Sequence, residues 1–402
     1  MVDRRAFVLA LGTFAVGTDA FVIAGILPEI AHDLSCTIEN AGLVVSIFAI
    51  SYALGSPITS ALSAAWPRKV VLVGGLGTFA MANVLSAVAP NLVVLLATRI
   101  LAALSAGVFA PAAYALGSTM GPPESRGRTL AVVVAGFSSA MVLGVPLGVL
   151  IGQSTGWRGT LIFVAVVSGG AALAISCATM PNSAASRPTS SLRDRLQPIS
   201  ERKTIAVLVP FLFWSTATYA LYTFIAPLLE SHLSPTVIPA LLLIFGAGGV
   251  AGNLIGGVLH DVFGTERPTL LCLLVLTVAL LSVRPASTTV LATAIDMVIW
   301  ALSMAALYTL QQQRAIAVDP RQANLRLALN NSAMYCGASI GSALGGIVIF
   351  KASVAVLPVT SAAIAAMAVI LLVLLSGRRL RGIVQVETVS SDPFVDPPEG
   401  EL

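Results

Sequence analysis

The stretch AGFSSAMVLGVPLGVLIGQSTGWR, residues 135–158, decides the fold, because small residues recur in it at every fourth position. They are Gly136, Ala140, Gly144, Gly148 and Gly152, and Pro146 lies among them. Residues four apart share one face of a helix. In a bilayer such a face allows a second helix to approach to backbone contact, since no hydrophobic force draws membrane helices together. The stretch therefore predicts a membrane helix that forms a close interface.

The same small-residue pattern recurs in the second half of the chain. Its members there are Gly248, Gly252 and Gly256, followed by Ala333, Gly337, Gly341 and Gly345. Pro28 and Ser35, after the first apolar segment, also recur at one constant offset as Pro227 and Ser234. Parallel six-helix halves with a substrate site between them at mid-depth are a transporter architecture. We expect two related bundles that close on each other and rock about these small-residue faces.

Composition places the chain in a membrane. Of its 402 residues, 57% are hydrophobic and only 10% are charged, with a mean hydropathy of +0.93, whereas soluble domains carry about a quarter charged residues. A spanning helix needs about 20 mostly apolar residues. We predict an all-α membrane protein with twelve spans. Their approximate bounds are 6–27, 41–62, 70–88, 92–120, 129–152, 160–180, 204–229, 237–259, 268–283, 288–311, 324–350 and 354–376.

The basic residues indicate the orientation. Most of the 22 Lys and Arg residues fall in alternate connections, on the side of the two termini. Only Arg158, Arg284 and Lys351 fall in the connections on the other side, and Arg99 falls inside a span. Cytoplasmic segments carry such an excess. We therefore expect a plasma-membrane (inner-membrane) protein with both termini in the cytoplasm, and the net charge of +4 does not require a nucleic-acid partner.

Composition also divides the chain into four parts. Residues 1–180 are predicted to form an N-terminal six-helix bundle and residues 204–376 a C-terminal one. Residues 181–203, rich in Ser, Pro and Arg, have the composition of a solvated cytoplasmic linker. Residues 377–402 are predicted to form a disordered cytoplasmic tail, because residues 384–402 are acidic, contain prolines and have little to bury.

Asp19 and Arg99 are charged residues deep inside predicted spans of the first half. A charge at that depth is costly unless it faces a cavity or pairs with an opposite charge. We expect Asp19 to take up and release protons, with Arg99 as its partner. The alternatives are a structural carboxyl bonded to a neighbouring Thr or the backbone, and an arginine that joins helices through backbone carbonyls.

Other polar residues are weaker candidates. Asp296 could be a second proton-carrying group or could reach the outer surface, and Glu29 and Glu230 are expected to be solvated beside outer helix ends. Tyr222 and Asn331 are the residues that we expect in a substrate pocket. The alternative for most of the aromatic residues is a belt at the lipid–water interface. The other polar and aromatic span residues that could line a site are Tyr114, Trp214, Tyr219, Trp300, Tyr308, Gln312, Asn330 and Tyr335.

Several kinds of chemistry have no signal in the sequence. The chain has no Gly-x-x-x-x-Gly-Lys-Ser/Thr loop, so ATP hydrolysis is not expected. His32, His232 and His260 lie outside the spans and lack metal-ligand spacing. No nucleophile with an adjacent base is evident either. We expect no enzymatic activity, no cofactor and no metal site.

Three motifs resemble those of one transporter family. Arg99, Gly107 and Pro111 resemble the fourth-helix motif of the major facilitator superfamily. Gly144-Val-Pro146-Leu-Gly148, with Gly152 and Gly156-Trp157-Arg158, resembles its antiporter motif in the chloramphenicol-resistance and arabinose (sugar) efflux exporters of the drug:proton antiporter branch. Gly17-Thr-Asp19-Ala-Phe21 is similar to the first-helix signature of the same branch. The resemblance implies that Asp19 is protonated, that Arg99 couples this to transport, and that Gly144, Pro146 and Gly148 form a hinge that restrains leak.

The resemblance also implies a gate at the cytoplasmic end, with one departure. The motif after the second helix keeps Arg68 but has Ala64 and Ala65 where the family carries an Asp-Arg pair. The copy in the second half keeps Asp261 and Arg267. Gating is therefore expected to be asymmetric.

These features together predict a monomeric, proton-coupled antiporter that exports a small, largely uncharged amphipathic compound, with a chloramphenicol-like antibiotic the leading expectation. The alternative is an exporter of a sugar, a nucleoside or another metabolite, including a self-made antibiotic, by the same mechanism. A nutrient symporter, a membrane-embedded enzyme and a sensor that does not transport are less favoured. The expected partners are the substrate, protons and the lipid bilayer.

Overall fold

The structure is a computed structural model that describes residues 3–63, 66–122, 125–179 and 201–389. These residues form α-helices joined by short connections, and none of those described lies in a β-strand. Twelve helical segments are long and apolar enough to cross a membrane. This confirms the predicted all-α membrane class. Most of the predicted linker 181–203 lies outside the described residues.

Among the described residues, the first half has eight α-helices, and all except the short second helix contribute to its six spans. The helices are α1 (Arg5–Val22), α2 (Leu27–Asp33), α3 (Ile38–Ser63), α4 (Arg68–Ala87), α5 (Leu92–Gly117), α6 (Arg126–Ser139), α7 (Val145–Thr155) and α8 (Trp157–Cys177). The predicted first span, 6–27, is interrupted by a 3₁₀ turn at Ile23–Gly25, after which α2 begins with Pro28 in its first turn. Proline is well placed there, because the first helical N–H groups have no intrahelical acceptor.

The second half repeats this design. Its helices are α9 (Arg202–Tyr222), α10 (Ile225–Glu230), α11 (Ile238–Phe263), α12 (Glu266–Ala286), α13 (Val290–Val318), α14 (Ala323–Lys351) and α15 (Leu357–Val389). The short helix α10 follows a break after α9, as α2 follows the break after α1. Helix α15 continues past residue 376, into the segment predicted as a disordered tail, and residues 390–402 lie outside the described residues.

The two ends of the bundle differ in charge. Helices α1, α4, α6 and α9 all begin at one end, with Arg5, Arg68, Arg126 and Arg202 as their first residues. We call this the basic end. The short helices α2 and α10 lie at the other end, which we call the opposite end, and they contact each other there.

The glycine ladder of α6 and α7 packs against α1 in the same half. A Cβ added at Gly148 would lie 2.5 Å from Val22 Cγ2, and one added at Gly152 would lie 2.8 Å from Ile26 Cγ2. At Gly144 an added Cβ would meet the Thr18 hydroxyl. The prediction of a close interface is therefore confirmed. The ladder lies within the first half, and not between the halves as the expected rocking about it requires.

The second-half ladders also join helices of one half. Gly341 and Gly345 pack on α9, where added Cβ atoms would lie 2.9 Å from the Ala220 nitrogen and 2.7 Å from the Ala220 carbonyl oxygen, respectively. Gly252 and Gly256 pack on α13. A period in the sequence identifies the face of a helix that packs closely, but it does not identify the neighbour. Small residues thus hold α14 to α9 and α11 to α13 in the second half, as they hold α6–α7 to α1 in the first.

The contacts between halves use other faces. Helix α3 packs along α14, where Ser339 Oγ donates to the Ser46 carbonyl at 3.0 Å and Ser342 Oγ to the Gly42 carbonyl at 2.9 Å. On the other side of the bundle, Gly246 of α11 lies against α6–α7, and an added Cβ there would be 2.7 Å from Val142 Cα. The halves therefore meet along these two helix contacts and, at the opposite end, between α2 and α10.

Residues Ala140–Gly144, between α6 and α7, form a π turn. Pro146 lacks an N–H group and its ring crowds the carbonyl four residues earlier, that of Val142, which disfavours regular α-helical bonding there. π turns inside helices are frequent at functional sites. This turn lies where α6–α7 contacts Gly246, so the irregular backbone faces the other half.

We predict that Gly144→Ala destabilises the protein by about 1–3 kcal/mol, the usual cost of an added methyl group in a packed interior. The added Cβ would lie 3.0 Å from Thr18 Cβ. Thr18→Ala in the same chain should recover part of the loss, because it removes the hydroxyl and methyl groups that clash. The measurement is the thermal midpoint of the purified protein in detergent.

The matched control is Gly74→Ala on α4, where nothing lies within 4 Å of an added Cβ. It should be neutral or slightly stabilising, since alanine favours helix more than glycine does. Equal stability of Gly144→Ala and Gly74→Ala would contradict the packing described here.

Candidate functional site

A buried salt bridge joins α1 to α5. Arg99 Nη1 donates to Asp19 Oδ1 at 2.9 Å, and Arg99 Nη2 donates to Asp19 Oδ2 at 2.6 Å. Both residues are 0% exposed. Two parallel N–H···O bonds of this kind are the strongest geometry that an arginine and a carboxylate can form. The predicted partnership of Asp19 and Arg99 is therefore present.

Two neutral residues complete the surroundings of Arg99. Its Nη1 also lies 3.4 Å from Asn83 Oδ1 on α4, and its guanidinium carbon lies 4.8 Å from the centre of the Phe48 ring on α3. A cation over an aromatic face is attracted by the ring quadrupole. Arg99 is thus held from three sides, so its position depends only partly on the charge of Asp19.

The structure removes one alternative for Asp19. Thr18, the neighbouring threonine, donates its hydroxyl to the Phe14 carbonyl at 2.8 Å, while both Asp19 oxygens accept from Arg99. Asp19 is therefore not a carboxyl capped by Thr18. The Thr18 side chain instead fills the space that Gly144 leaves open. Thr18, which contacts the glycine ladder, and Asp19, which binds Arg99, are therefore successive residues of α1.

An aromatic cluster lies beside the salt bridge and crosses from one half to the other. Phe21, two residues after Asp19, has its ring centre 6.2 Å from that of Tyr222 on α9. Tyr222 in turn lies 5.5 Å from Phe245 on α11 and 6.4 Å from Trp300 on α13. Edge and offset contacts between such rings are favourable. Tyr222 is thus at the boundary of the two halves, as expected of a pocket residue.

All six tyrosines of the chain lie close enough to interact with another of them, which argues against the alternative that they form belts at the lipid interface. The ring centres of Tyr52 and Tyr335 are 4.2 Å apart, and they come from α3 and α14, in different halves. The Tyr52 hydroxyl lies within hydrogen-bonding reach of Asn331. Asn331 therefore also lies at the boundary of the halves.

Asp296 is not part of this arrangement. It lies on α13 and accepts a 2.5 Å hydrogen bond from Ser282 of α12, within the second half. Its side chain is buried, which removes the alternative that it reaches the outer surface. The structure does not bring Asp296 together with Asp19 and Arg99.

The predicted gate residues lie at the basic end. Arg68 is the first residue of α4 and is partly exposed, while Asp261 and Arg267 are exposed on either side of the turn between α11 and α12. Glu266 and Arg314 form a buried ion pair at this end, with their Oε2 and Nη2 atoms 3.2 Å apart. Arg326 is buried there as well and pairs with Glu201.

The sequence analysis did not predict the Glu266–Arg314 pair. In the structure the pair belongs to a network of buried polar residues. Gln311 Oε1 accepts from Arg314 at 3.4 Å, and Gln311 Nε2 donates to Asn330 Oδ1 at 3.2 Å. Arg314 follows the predicted span 288–311, so its sequence position suggests a solvated cytoplasmic residue, whereas it is buried in the structure. The available signal was Glu266 itself, an acid at the start of a span directly before Arg267, because a charge of this sign favours a helix N-terminus.

Comparison with known proteins assigns the family. The family model described as Major Facilitator Superfamily matches residues 9–321. The chain belongs to this superfamily. It is 30% identical to the inner membrane transport protein YdhP of Escherichia coli (strain K12) over 393 residues, which cover 96% of this chain and 98% of that protein.

Two further similarities bear on substrate and fold. The chain is 35% identical over 259 residues to the chloramphenicol resistance protein of Streptomyces lividans, covering 63% of this chain and 66% of that protein. The crystal structure of the nucleoside transporter NupG has a TM-score of 0.74 at 11% identity, covering 92% of this chain and 98% of that chain. This structural likeness confirms the two-bundle major facilitator fold.

Two carboxyl groups face the contact between the halves at the opposite end of this superfamily member. Glu29 of α2 is partly buried, and its Oε2 atom has no hydrogen-bond partner among the described residues. Burial raises the pKa of Glu29. Burial, with a smaller effect of the Glu29 charge, raises the pKa of Glu230 on α10 to about 7. Both glutamates are therefore only partly exposed, and not fully solvated as expected.

We predict that removing one partner of the buried pair is costly and removing both is not. Asp19→Asn leaves Arg99 buried without a counter-charge and should lower the free energy of unfolding by about 3–5 kcal/mol. The double variant Asp19→Leu with Arg99→Met replaces both charges by apolar groups and should be close to the parent in stability. Thermal midpoints in detergent measure both effects.

The control for this prediction is Asp33→Asn. Asp33 also pairs with an arginine, Arg158, but its side chain is 45% exposed. An exposed pair contributes about 0–1 kcal/mol, so this variant should be only slightly less stable. If Asp33→Asn lowered the free energy of unfolding as much as Asp19→Asn does, burial would not be the reason for the cost of breaking the Asp19–Arg99 pair.

We predict that the contact between α2 and α10 weakens as pH rises. A carboxyl whose pKa is raised from 4.5 to about 7 by its surroundings holds its proton more tightly in the packed arrangement. The contact is therefore strongest below about pH 4.5 and loses stability as pH rises towards 7. Spin labels at Cys36 and at Ser231→Cys, with the other cysteines replaced by serine, should report a longer distance at pH 8 than at pH 5.

Glu230→Gln should remove most of this pH dependence. Glu39→Gln, at the start of α3 on the same end, is the matched control and should retain it. The other ionisable residues near these two glutamates are His32, Asp33, His232 and Lys351. A pH-dependent distance that survives Glu230→Gln would assign the effect to one of them.

Proposed function

We propose that the chain is a proton-coupled antiporter that exports a small, largely uncharged amphipathic compound by alternating access. The single observation that carries this proposal is the fully buried pair of Asp19 and Arg99 in the first half. Ionisable residues inside a membrane are costly, and they mark ion pathways and proton relays. The antiporter-type glycine motif packed directly against Thr18 supports exchange rather than uptake with protons.

The contacts of Asp19 suggest how protonation acts on the rest of the molecule. A proton on Asp19 removes the charge that Arg99 faces, while Asn83 and Phe48 continue to hold Arg99. Helix α1 is then free to move relative to α5. Through Thr18 such a movement reaches the glycine ladder, and through Phe21 it reaches Tyr222 of the second half.

We place the basic end in the cytoplasm of a plasma (inner) membrane, following the positive-inside rule. The contact between α2 and α10 then closes the outer side. Proton uptake from outside by Asp19, followed by deprotonation towards the cytoplasm as substrate binds, completes a cycle of exchange. The protein acts as a monomer in this proposal, because each half already contacts the other within one chain.

The leading substrate is a phenicol, the class of chloramphenicol. The partial similarity to the Streptomyces lividans chloramphenicol resistance protein supports this choice. The aromatic and tyrosine-rich boundary between the halves also suits an uncharged ring compound. Export of a sugar, nucleoside or other metabolite remains the alternative within the same mechanism.

The test is accumulation of labelled chloramphenicol in a susceptible bacterium that produces the chain, with and without a protonophore. We expect lower accumulation with the intact chain and loss of this difference with the protonophore. Asp19→Asn should raise accumulation to that of cells without the chain. Asp33→Asn should export like the parent, because its carboxylate pairs with Arg158 at the opposite end.

The Asp19→Leu, Arg99→Met double variant separates folding from coupling. It should be as stable as the parent and yet fail to export. Protonophore-sensitive export by this variant or by Asp19→Asn would refute the role of Asp19. An intact chain that does not lower chloramphenicol accumulation would refute the phenicol assignment, and a screen of sugars and nucleosides would then identify the exported class.

A further inference from the structure

Two buried tryptophans of the second half have indole N–H groups without an acceptor. Trp300 is 0% exposed and Trp214 is 5% exposed, and neither Nε1 atom has a hydrogen-bond partner among the described residues. By contrast, Nε1 of the buried Trp157 donates to Asp33 Oδ2 at 3.0 Å. A buried indole N–H usually finds a partner, and each such group in a native structure requires an explanation.

These donors lie on two helix faces that oppose each other. On α9, Trp214, Thr218 and Tyr222 are spaced four residues apart and therefore share one face. On α13, Trp300 and Tyr308 are spaced by eight residues and also share a face. The two faces meet through ring contacts, Tyr222 with Trp300 at 6.4 Å, and Phe211 with Tyr308 at 6.4 Å. We call them the facing stripes of α9 and α13.

A third polar group on the same stripe is also unsatisfied. Thr218 is 1% exposed, and its hydroxyl has no hydrogen-bond partner among the described residues. It lies one turn from Trp214 and one turn from Tyr222 on α9. Three unsatisfied groups thus occur along one pair of helix faces. A polar group buried without a partner costs about 1–3 kcal/mol. Three such groups on one pair of helix faces therefore indicate that these groups serve to bind a ligand.

The stripes reach the boundary of the halves. Tyr222 contacts Phe21 of the first half. Tyr52 of the first half lies close enough to Tyr308 to interact with it. When the halves part, the contacts that cover these residues from the first half are lost, and the rings and donors become available to a ligand. The groups that line the stripes are neutral. The buried acid of α13, Asp296, bonds to α12 instead.

We propose that the facing stripes of α9 and α13 form the substrate-recognition site, which binds the ring of an uncharged aromatic compound while Trp214 and Trp300 donate hydrogen bonds to its carbonyl or nitro oxygens. This inference rests on the proposed export function and narrows its substrate class. The two halves then have different tasks. The first half carries the proton on Asp19, and the second half recognises the substrate with neutral donors.

The test measures equilibrium binding of radiolabelled chloramphenicol, a neutral nitroaromatic amide, to the purified full-length chain in lipid nanodiscs. Trp300→Phe and Trp214→Phe keep an aromatic ring and remove the N–H group. We expect each variant to raise the Kd by ~10-fold, the effect of one lost hydrogen bond. Thr218→Val, which keeps the side-chain shape, should raise the Kd as well.

Trp66, outside the stripes, serves as the matched control. Trp66→Phe keeps an aromatic ring at an exposed position. This variant should bind chloramphenicol like the parent. Thermal midpoints of all variants identify any that are poorly folded. An analogue of chloramphenicol whose nitro group is reduced to an amine should bind the parent more weakly, with a smaller difference in the variant whose indole contacted the nitro group.

The outcomes separate this inference from the proposed function. Unchanged Kd values for Trp214→Phe, Trp300→Phe and Thr218→Val overturn the recognition site, even if export still depends on Asp19. Preferred binding of tetraphenylphosphonium, an aromatic cation, also overturns it. If the parent exports chloramphenicol only with Asp19 intact but binds it through other residues, the proposed function stands alone. If the parent neither exports nor binds any neutral aromatic probe, both fail.

Discussion

The ion pair between Asp19 and Arg99 constrains the structure more than any other interaction described here. Both charges are fully buried, and either one without the other would be very costly in a bilayer. Two opposite charges with no access to water are stable only when geometry and surroundings compensate for lost hydration. Here the compensation comes from four helices, which supply the acid, the base, an amide at 3.4 Å and an aromatic face at 4.8 Å. The packing of α1, α3, α4 and α5 is thereby constrained around one point.

Close packing by small residues is the second constraint, and it defines each half as a unit. Glycine faces hold α6–α7 to α1, α14 to α9, and α11 to α13. The boundary between the halves contains one such contact, Gly246 against α6–α7, but it also uses serine hydroxyls on backbone carbonyls and aromatic rings. Ring and hydroxyl contacts can be exchanged for contacts with a ligand. The glycine contacts inside each half cannot, so each half is expected to move as a body.

The sequence alone predicted the pair of Asp19 and Arg99 for a simple physical reason. An acid and a base deep in the spans of the same half have few other ways to be stable. The partners Asn83 and Phe48 could not be predicted in this way, because neutral side chains are tolerated at many positions in a span. Glu266 and Arg314 were missed because charges near the ends of spans are usually solvated. The unsatisfied indoles of Trp214 and Trp300 have no signal in a sequence, since hydrogen-bond satisfaction depends on neighbours in space.

The π turn at Ala140–Gly144 has a consequence for the rotation of the helix that contains it. In a regular α-helix a repeat of four residues advances by about 40° per step, so Gly136 and Gly152 would point about 160° apart. Both nevertheless face the first span and its continuation, where Gly136 meets Ala10 of α1 and Gly152 meets Ile26, between the 3₁₀ turn and α2. A π turn accommodates about one extra residue, which sets the later part of the helix back by about 100°. If the turn were to relax to α-helical bonding, α7 would rotate by that angle relative to α6 and the two ends of the ladder could no longer share a neighbour. The π turn therefore keeps Gly136 and Gly152, at the two ends of the ladder, facing the same neighbouring span.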